Sequence, residues 1–289
     1  MKYRMIALDL DGTLLDSHGR VRPRVKEAVR KAIDLGVIVT IATGRRLHFA
    51  QKIAEEIGID VPLVLHGGTL IQDSATGEVI YEDVMSPSLV REAVELVVNY
   101  GHQPVLFVSP SAGGGLLAGP PEKDSVLASQ YLNSQRNIKR LPYEDLANAE
   151  HVLSVWVIED HDVLGPLYEA MVKRPYYKVL LWEPEPDKPD TGYLLDILNV
   201  GASKAKALRH LAASYGISMD EVMAIGDQIN DLEMMEAAGL GVAMGNAISP
   251  VRELANAVVS SNDEDGVAEA IERFVLSEEA VGDGSQVRR

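Results

Sequence analysis

Short unbroken apolar runs alternate along this chain with stretches where apolar residues recur every three or four positions. The run Met5-Ile6-Ala7-Leu8 predicts a buried strand over residues 5–9. Val21, Val25, Ala28, Val29, Ala32 and Ile33 mark one face of a helix over Val21–Leu35, which Gly36 stops. Val37–Ala42 is again continuous and ends at Thr43-Gly44-Arg45. A helix over Leu47–Ile57 closes at Gly58, and Val61–Leu65 reads as a third strand ending at His66-Gly67-Gly68. Leu70-Ile71 and Val79-Ile80-Tyr81 flank a polar, glycine-bearing gap, the pattern of a hairpin. Strands without apolar–polar alternation, interleaved with helices, imply a parallel sheet covered on both faces.

The middle of the chain has a different rhythm. Helices are expected over Pro87–Tyr100 and Val163–Lys173, and strands over Val105–Val108, Val152–Ile158 and Tyr176–Trp182. Lys123–Asn133 reads as a helix or partly as loop, and Gly113-Gly114-Gly115 as a flexible loop. The acidic, proline-rich stretch from Glu183 to Pro189 reads as a connector. The parallel pattern then resumes. Helices are expected at Ser203–Tyr215, Leu232–Ala238, Pro250–Ala255 and Asp265–Phe274, and strands at Val222–Ile225, Leu240–Met244 and Ala257–Val259. The fold class is therefore α/β: a three-layer, doubly wound, mostly parallel sheet from residues 1–82 and 187–289, with an α/β module inserted over 83–186.

Composition narrows the partners. With 289 residues and 46% apolar content, the chain can bury a full core. Its 27 basic and 43 acidic residues leave a net charge of −16, which repels nucleic acid and anionic membranes. A phosphorylated ligand would need local cations against that field. There is no cysteine, hence no disulfide and no thiol chemistry. The apolar run behind Met1-Lys2-Tyr3-Arg4 is too short for a signal or spanning segment, so a cytoplasmic location is expected. The polar tail Glu278–Arg289 is expected to fray.

The candidate chemistry lies at strand ends. Asp9 and Asp11 are two apart on an extended backbone, so both can face one cavity. Asp227, Asn230 and Asp231 follow the apolar run Val222–Ile225, Thr43 follows Val37–Ala42, and Lys204 opens a helix behind Gly201 and Ser203. Ligands of open parallel sheets bind beyond the carboxyl ends of the strands. Four carboxylates meeting there would repel one another without a cation, which points to Mg²⁺ and an anionic substrate. The histidines show no zinc spacing.

Asp9-Leu10-Asp11-Gly12-Thr13-Leu14, Thr43-Gly44-Arg45, Ser203-Lys204 and Gly226-Asp227 through Asn230-Asp231 resemble the four motifs of the haloacid dehalogenase superfamily. The long insert, Gly245-Asn246-Ala247 and the phrase from Asn262 to Val267 resemble its Cof-type branch of small-molecule phosphatases with a large cap. The resemblance implies that Asp9 is the nucleophile and Asp11 the proton shuttle. It implies phosphate binding by Thr43 (hydroxyl and backbone N–H), Gly44 and Lys204, with Asn230 touching phosphate or orienting its loop. It implies Mg²⁺ bound by Asp9, Asp227, Asp231 and the Asp11 backbone carbonyl, with Asp231 acting directly or through water. Arg45 contacts substrate or braces its loop, Thr13 tightens the turn, and Asn246 supports the site from behind. His66 stands where the family often has Asn, as a substrate contact or a surface imidazole. Phe107, Trp156, Tyr176, Tyr177 and Trp182 read as packing within the insert or along its edge. The implied activity is Mg²⁺-dependent hydrolysis of small phosphorylated metabolites, such as sugar phosphates or phosphoglycolate, through an aspartyl phosphate. The alternatives are a hexose phosphomutase and a non-catalytic metabolite-binding protein. The expected partner is a small phosphorylated metabolite rather than nucleic acid or membrane, with the protein a monomer or homodimer.

Overall fold

A computed structural model describes residues 2–135, 137–182, 184 and 192–277. They form two units with separate cores, one from the residues up to Tyr81 and from Ser203 onward, the other from Glu82–Ala202.

The first unit is built on a wholly parallel sheet. Its strands lie in the order Ala257–Val258, Leu240–Ala243, Val222–Gly226, Met5–Leu8, Ile38–Ile41. A parallel bridge from Ala42 to Val64 continues it to Leu63–Leu65, which turns back into antiparallel Leu70–Gln72 and then Val79–Glu82. Every residue of Met5–Leu8 and Val222–Gly226 is buried, which is why neither run alternates. From Met5–Leu8 the chain winds outward to one side, then returns to fill the other side, beginning with Val222–Gly226. The reversal between these two strands opens a crevice at their carboxyl ends. Helices form where the pattern predicts. Pro23 begins one at a position where its missing N–H costs nothing, and Gly58 ends another in the left-handed conformation.

The second unit has a six-stranded sheet in the order Tyr177–Trp182, Tyr193–Asn199, Val152–Glu159, Val105–Val108, Gly115–Ala118, Ile138–Arg140. All neighbours are antiparallel except the last pair. One face packs its core, including Val155, Val157, Leu195 and Ile197, against residues such as Val90, Val94 and Leu167 from the helices Pro87–Asn99 and His161–Val172.

The doubly wound α/β core with an inserted α/β module is as expected, but the insert's extent is not. The second unit runs to Ala202 rather than 186, because Tyr193–Asn199 pairs with strands of that unit on both sides. That strand escaped sequence reading, as did the short strands Gly115–Ala118 and Ile138–Arg140 and the helix Tyr143–Ala147. Gly113, Gly114 and Gly115 all take positive φ in a turn, and Gly115 opens a strand. Lys123–Asn133 resolves into a 3₁₀ turn at Pro121–Lys123 and a helix at Val126–Ser134. The connector from Glu183 to Pro189, apart from Pro184, and the tail from Glu278 lie outside the described residues. No helix among the described residues is long and apolar enough to cross a membrane.

Candidate active site

Asp9 follows the strand Met5–Leu8, and its backbone N–H donates to the Ile225 carbonyl at 3.0 Å. That bond extends the parallel register Leu8↔Ile225 and sets Asp9 beside the Gly226-Asp227 turn. Acids nearly 220 positions apart thus meet at the crevice. Ligand oxygens of Asp9, Asp227 and Asp231 all lie within 4.8 Å of one another, and all three residues are buried. Lys204 enters from the start of its helix, which Ser203 caps by accepting from the Lys206 N–H. Its Nζ donates to Asp9 Oδ1 and to Asp231 Oδ1, each at 2.6 Å.

Around this centre the loops brace one another. Asp231 Oδ2 accepts from the backbone N–H groups of Asp227 and Gln228, both at 3.0 Å, closing its own loop. Thr13 Oγ1 donates to Asp227 Oδ1 at 2.8 Å. Gly12 has φ +79°, and a Cβ there would sit 2.4 Å from Asp227 Oδ2, so only glycine allows this approach. Asn246 donates to the Gly12 carbonyl at 2.8 Å and accepts from the Asn262 N–H, while Asn262 donates to the Leu15 carbonyl.

Three carboxylates and one ammonium leave a buried site short of positive charge. Burial drives the Asp9 carboxyl well above its usual range, reinforced by Asp231 and opposed by Lys204. Burial likewise pushes Asp227 up to about 6. Burial works against the Lys204 charge, but Asp231 and Asp9 more than reverse it, and its pKa is raised. A fully buried lysine between two acids adds little net stability, since desolvation offsets the attraction. The arrangement is better explained by chemistry. An all-oxygen donor set with surplus negative charge fits a hard divalent cation such as Mg²⁺.

The other predicted residues are distributed around this cluster. Asp11 projects outward with its side chain 53% exposed and forms a forked pair with Arg45, one arm being Arg45 Nε to Asp11 Oδ2 at 2.7 Å. Arg45 also lies over the exposed Phe49 ring. Thr43 is buried, and its expected roles need correction. Its backbone N–H donates to the Val64 carbonyl, which the sheet edge demands, so that donor is not free for phosphate. Its hydroxyl oxygen accepts from the Arg45 N–H at 3.1 Å, leaving the hydroxyl proton to be donated elsewhere. Gly44 is exposed at the apex of this turn. Asn230 carries a buried side-chain oxygen that has no hydrogen-bond partner among the described residues. His66 is buried, which removes the surface-imidazole alternative. Sequence reading missed the Thr13–Asp227 bond and the Asn246–Asn262 brace. Their only linear signals were a hydroxyl after Gly12 and two asparagines at loop starts.

The sequence model of the haloacid dehalogenase-like hydrolase family matches residues 6–271. The pyridoxal phosphate phosphatase YbhA of Escherichia coli is 30% identical over 276 residues, covering 94% of this chain and 98% of that protein. The 5-amino-6-(5-phospho-D-ribitylamino)uracil phosphatase YcsE of Bacillus subtilis is 29% identical over 273 residues, covering 94% and 96%. A crystal structure of a haloacid dehalogenase-like hydrolase from Bacteroides thetaiotaomicron, 28% identical, aligns with a TM-score of 0.74 over 94% of this chain and 99% of that one. The family match spans residues of both units, and the chain belongs to the haloacid dehalogenase-like hydrolases.

Proposed function

We propose that the chain is a Mg²⁺-dependent phosphomonoesterase acting on small soluble metabolites through a phosphorylated Asp9. The observation that carries this reading is the Asp9 carboxylate held against Lys204 at the reversal point of the parallel sheet, with Asp227 and Asp231 beside it. Relatives acting on pyridoxal phosphate and on a ribityl-uracil phosphate support a small-molecule substrate. The −16 charge argues against polynucleotide substrates, and the lack of cysteine suits a cytoplasmic location.

In this mechanism Lys204 ties down Asp9 Oδ1, so Oδ2 is the oxygen that attacks phosphorus. The leaving oxygen takes its proton from Asp11, which then draws a proton from the water that hydrolyses the acyl phosphate. Arg45 stations Asp11 at the rim and is the guanidinium that can turn to the ester anion when Asp11 swings to the leaving group. Lys204, the Thr43 hydroxyl, the Gly44 amide and the Asn230 side chain hold the transferring oxygens. Mg²⁺, held by Asp9, Asp227, Asp231 and the Asp11 carbonyl, would supply neutralising charge to the phosphoryl group.

Phosphate release from a panel of sugar phosphates, phosphoglycolate and pyridoxal phosphate, with Mg²⁺ or with EDTA, tests the proposal. Asp9→Asn should abolish release while the circular dichroism spectrum stays native. Turnover that survives in Asp9→Asn would remove the nucleophile assignment. Free phosphate formed without a bisphosphate activator separates hydrolysis from the phosphomutase alternative, and no turnover of any ester would favour a binding protein.

A further inference from the structure

The loop that carries Asp9 has little regular structure of its own. Between Asp9 and the helix that starts at Pro23 the chain makes turns and a single bridge, from Asp11 to Leu15. Gly12, at φ +79°, adds the freedom of a residue without a side chain. Yet the loop has a narrow task. The Leu14 N–H donates to the Asp9 carbonyl at 3.2 Å and the Leu15 N–H to the Leu10 carbonyl at 2.9 Å, while Thr13 Oγ1 donates to the Asp227 carboxylate. A shift at Gly12 or Leu15 therefore moves Asp9 and Asp227 relative to each other.

What fixes this loop comes from far along the chain, within the same unit. The turn Asn262–Asp265 grips it at three points. Asn262 Nδ2 donates to the Leu15 carbonyl at 2.8 Å, across 247 positions of sequence. Asp263 Oδ1 accepts from the Ser17 N–H at 2.9 Å, and Asp265 Oδ1 accepts from Arg22 Nε at 2.7 Å. A fourth grip runs through Asn246. The Asn262 backbone N–H donates to Asn246 Oδ1 at 3.0 Å, and Asn246 Nδ2 donates to the Gly12 carbonyl at 2.8 Å. Asn262 thus serves two routes, its side chain toward Leu15 and its backbone toward Gly12. The turn is held at a cost: Asp265 takes φ +62°, and a Cβ on Gly266 would lie 2.0 Å from the Ser260 carbonyl oxygen.

We infer that Asn262 is a positioning residue of the acidic cluster: it sets the loop that places Asp9 and Asp227 around one cation. It bonds to neither acid among the described residues and acts through Leu15, and through Asn246 and Gly12. Metal ligands keep their geometry only as well as the groups behind them do, and removing such a group lowers metal affinity about 10- to 100-fold. The inference rests on the reading of this cluster as a Mg²⁺ site and not on the hydrolysis of any ester.

Isothermal titration calorimetry of the whole chain with Mg²⁺ alone tests this. Asn262→Ala removes the grip on Leu15 and should raise the Mg²⁺ dissociation constant about tenfold. Asn246→Ala cuts the route to Gly12 and should do the same. The double variant should lose less than the product of the two effects, because both routes hold one loop. Arg24→Gln serves as the control for a purely structural effect. It breaks the exposed pair of Arg24 with Glu272, which ties down the helix after the same loop, and should leave the constant unchanged. Where an ester is turned over, the Mg²⁺ concentration giving half the maximal rate should rise in Asn262→Ala by the same factor as the dissociation constant. An unchanged constant in Asn262→Ala overturns the proposal. So does a loss that Arg24→Gln shares, or the absence of Mg²⁺ binding by the unmodified protein. If Asn262→Ala fails to fold, an unchanged constant in Asn246→Ala overturns it instead. A raised constant in a protein that hydrolyses no ester keeps the inference and rejects the phosphatase reading, and ester hydrolysis with an unchanged constant does the reverse.

Discussion

His66 holds two unfavourable positions at once. Its φ is +49°, which β-carbon-bearing residues avoid, and its imidazole is buried. Burial, then the charges of Arg46 and His48, push its pKa down to about 3. The folded protein therefore keeps it neutral, whereas the unfolded chain protonates it near 6.5. Below that value the unfolded state binds the extra proton, so stability drains away as pH falls from about 6.5 toward 3. Asn tolerates left-handed backbone and has no such proton. His66→Asn should flatten the dependence of the thermal midpoint on pH between about 4 and 6.5. Identical slopes for the two proteins would contradict this account. At the same scale, Asp9, Asp227, Asp231 and Lys204 were readable because each follows an apolar run or opens a helix. The diversion of the Thr43 amide to Val64 was not, since it depends on which strand lies alongside.

Among the elements, the approach of one turn to one helix start positions the site lysine. Gly68, at φ +97°, packs so closely on the start of the helix Lys204–Ser214 that a Cβ there would lie 2.1 Å from the Ser203 carbonyl oxygen. Gly67, with φ +65°, has nothing within 4 Å of the same added atom. Gly68→Ala should push the helix start away and carry Lys204 off Asp9. Urea unfolding should register a loss of about 1–3 kcal/mol, with phosphate release falling at least about tenfold. Gly67→Ala should cost about 1 kcal/mol of backbone strain and spare most activity. Equal effects from the two substitutions would mean that close approach is not what places the lysine.

For the whole molecule, the decisive fact is two cores on one chain, with the acidic cluster confined to the first. A ligand stabilises the unit that binds it. Mg²⁺ at 100 times its dissociation constant should add about 2.7 kcal/mol to the first unit alone. Scanning calorimetry should resolve one transition that rises with Mg²⁺ and returns with EDTA, and another that ignores both. A metal-induced shift of both transitions, or of neither, would count against a metal held solely by the first unit.

Composition, periodicity and motif order sufficed for the α/β class, the interrupted parallel core and the roster of strand-end residues, because buried parallel strands and helix faces write their periods into the chain. They could not locate the end of the insert. Tyr193–Asn199 belongs to the second unit only by virtue of its antiparallel neighbours, and pairing partners leave no mark in a single strand. Nor could they foresee that the buried Asn230 side-chain oxygen finds no hydrogen-bond partner among the described residues. Whether a polar atom finds a partner is settled by packing in three dimensions, and the same holds for the meeting of Asp9 with Asp227, which only the parallel register of two distant strands brings about.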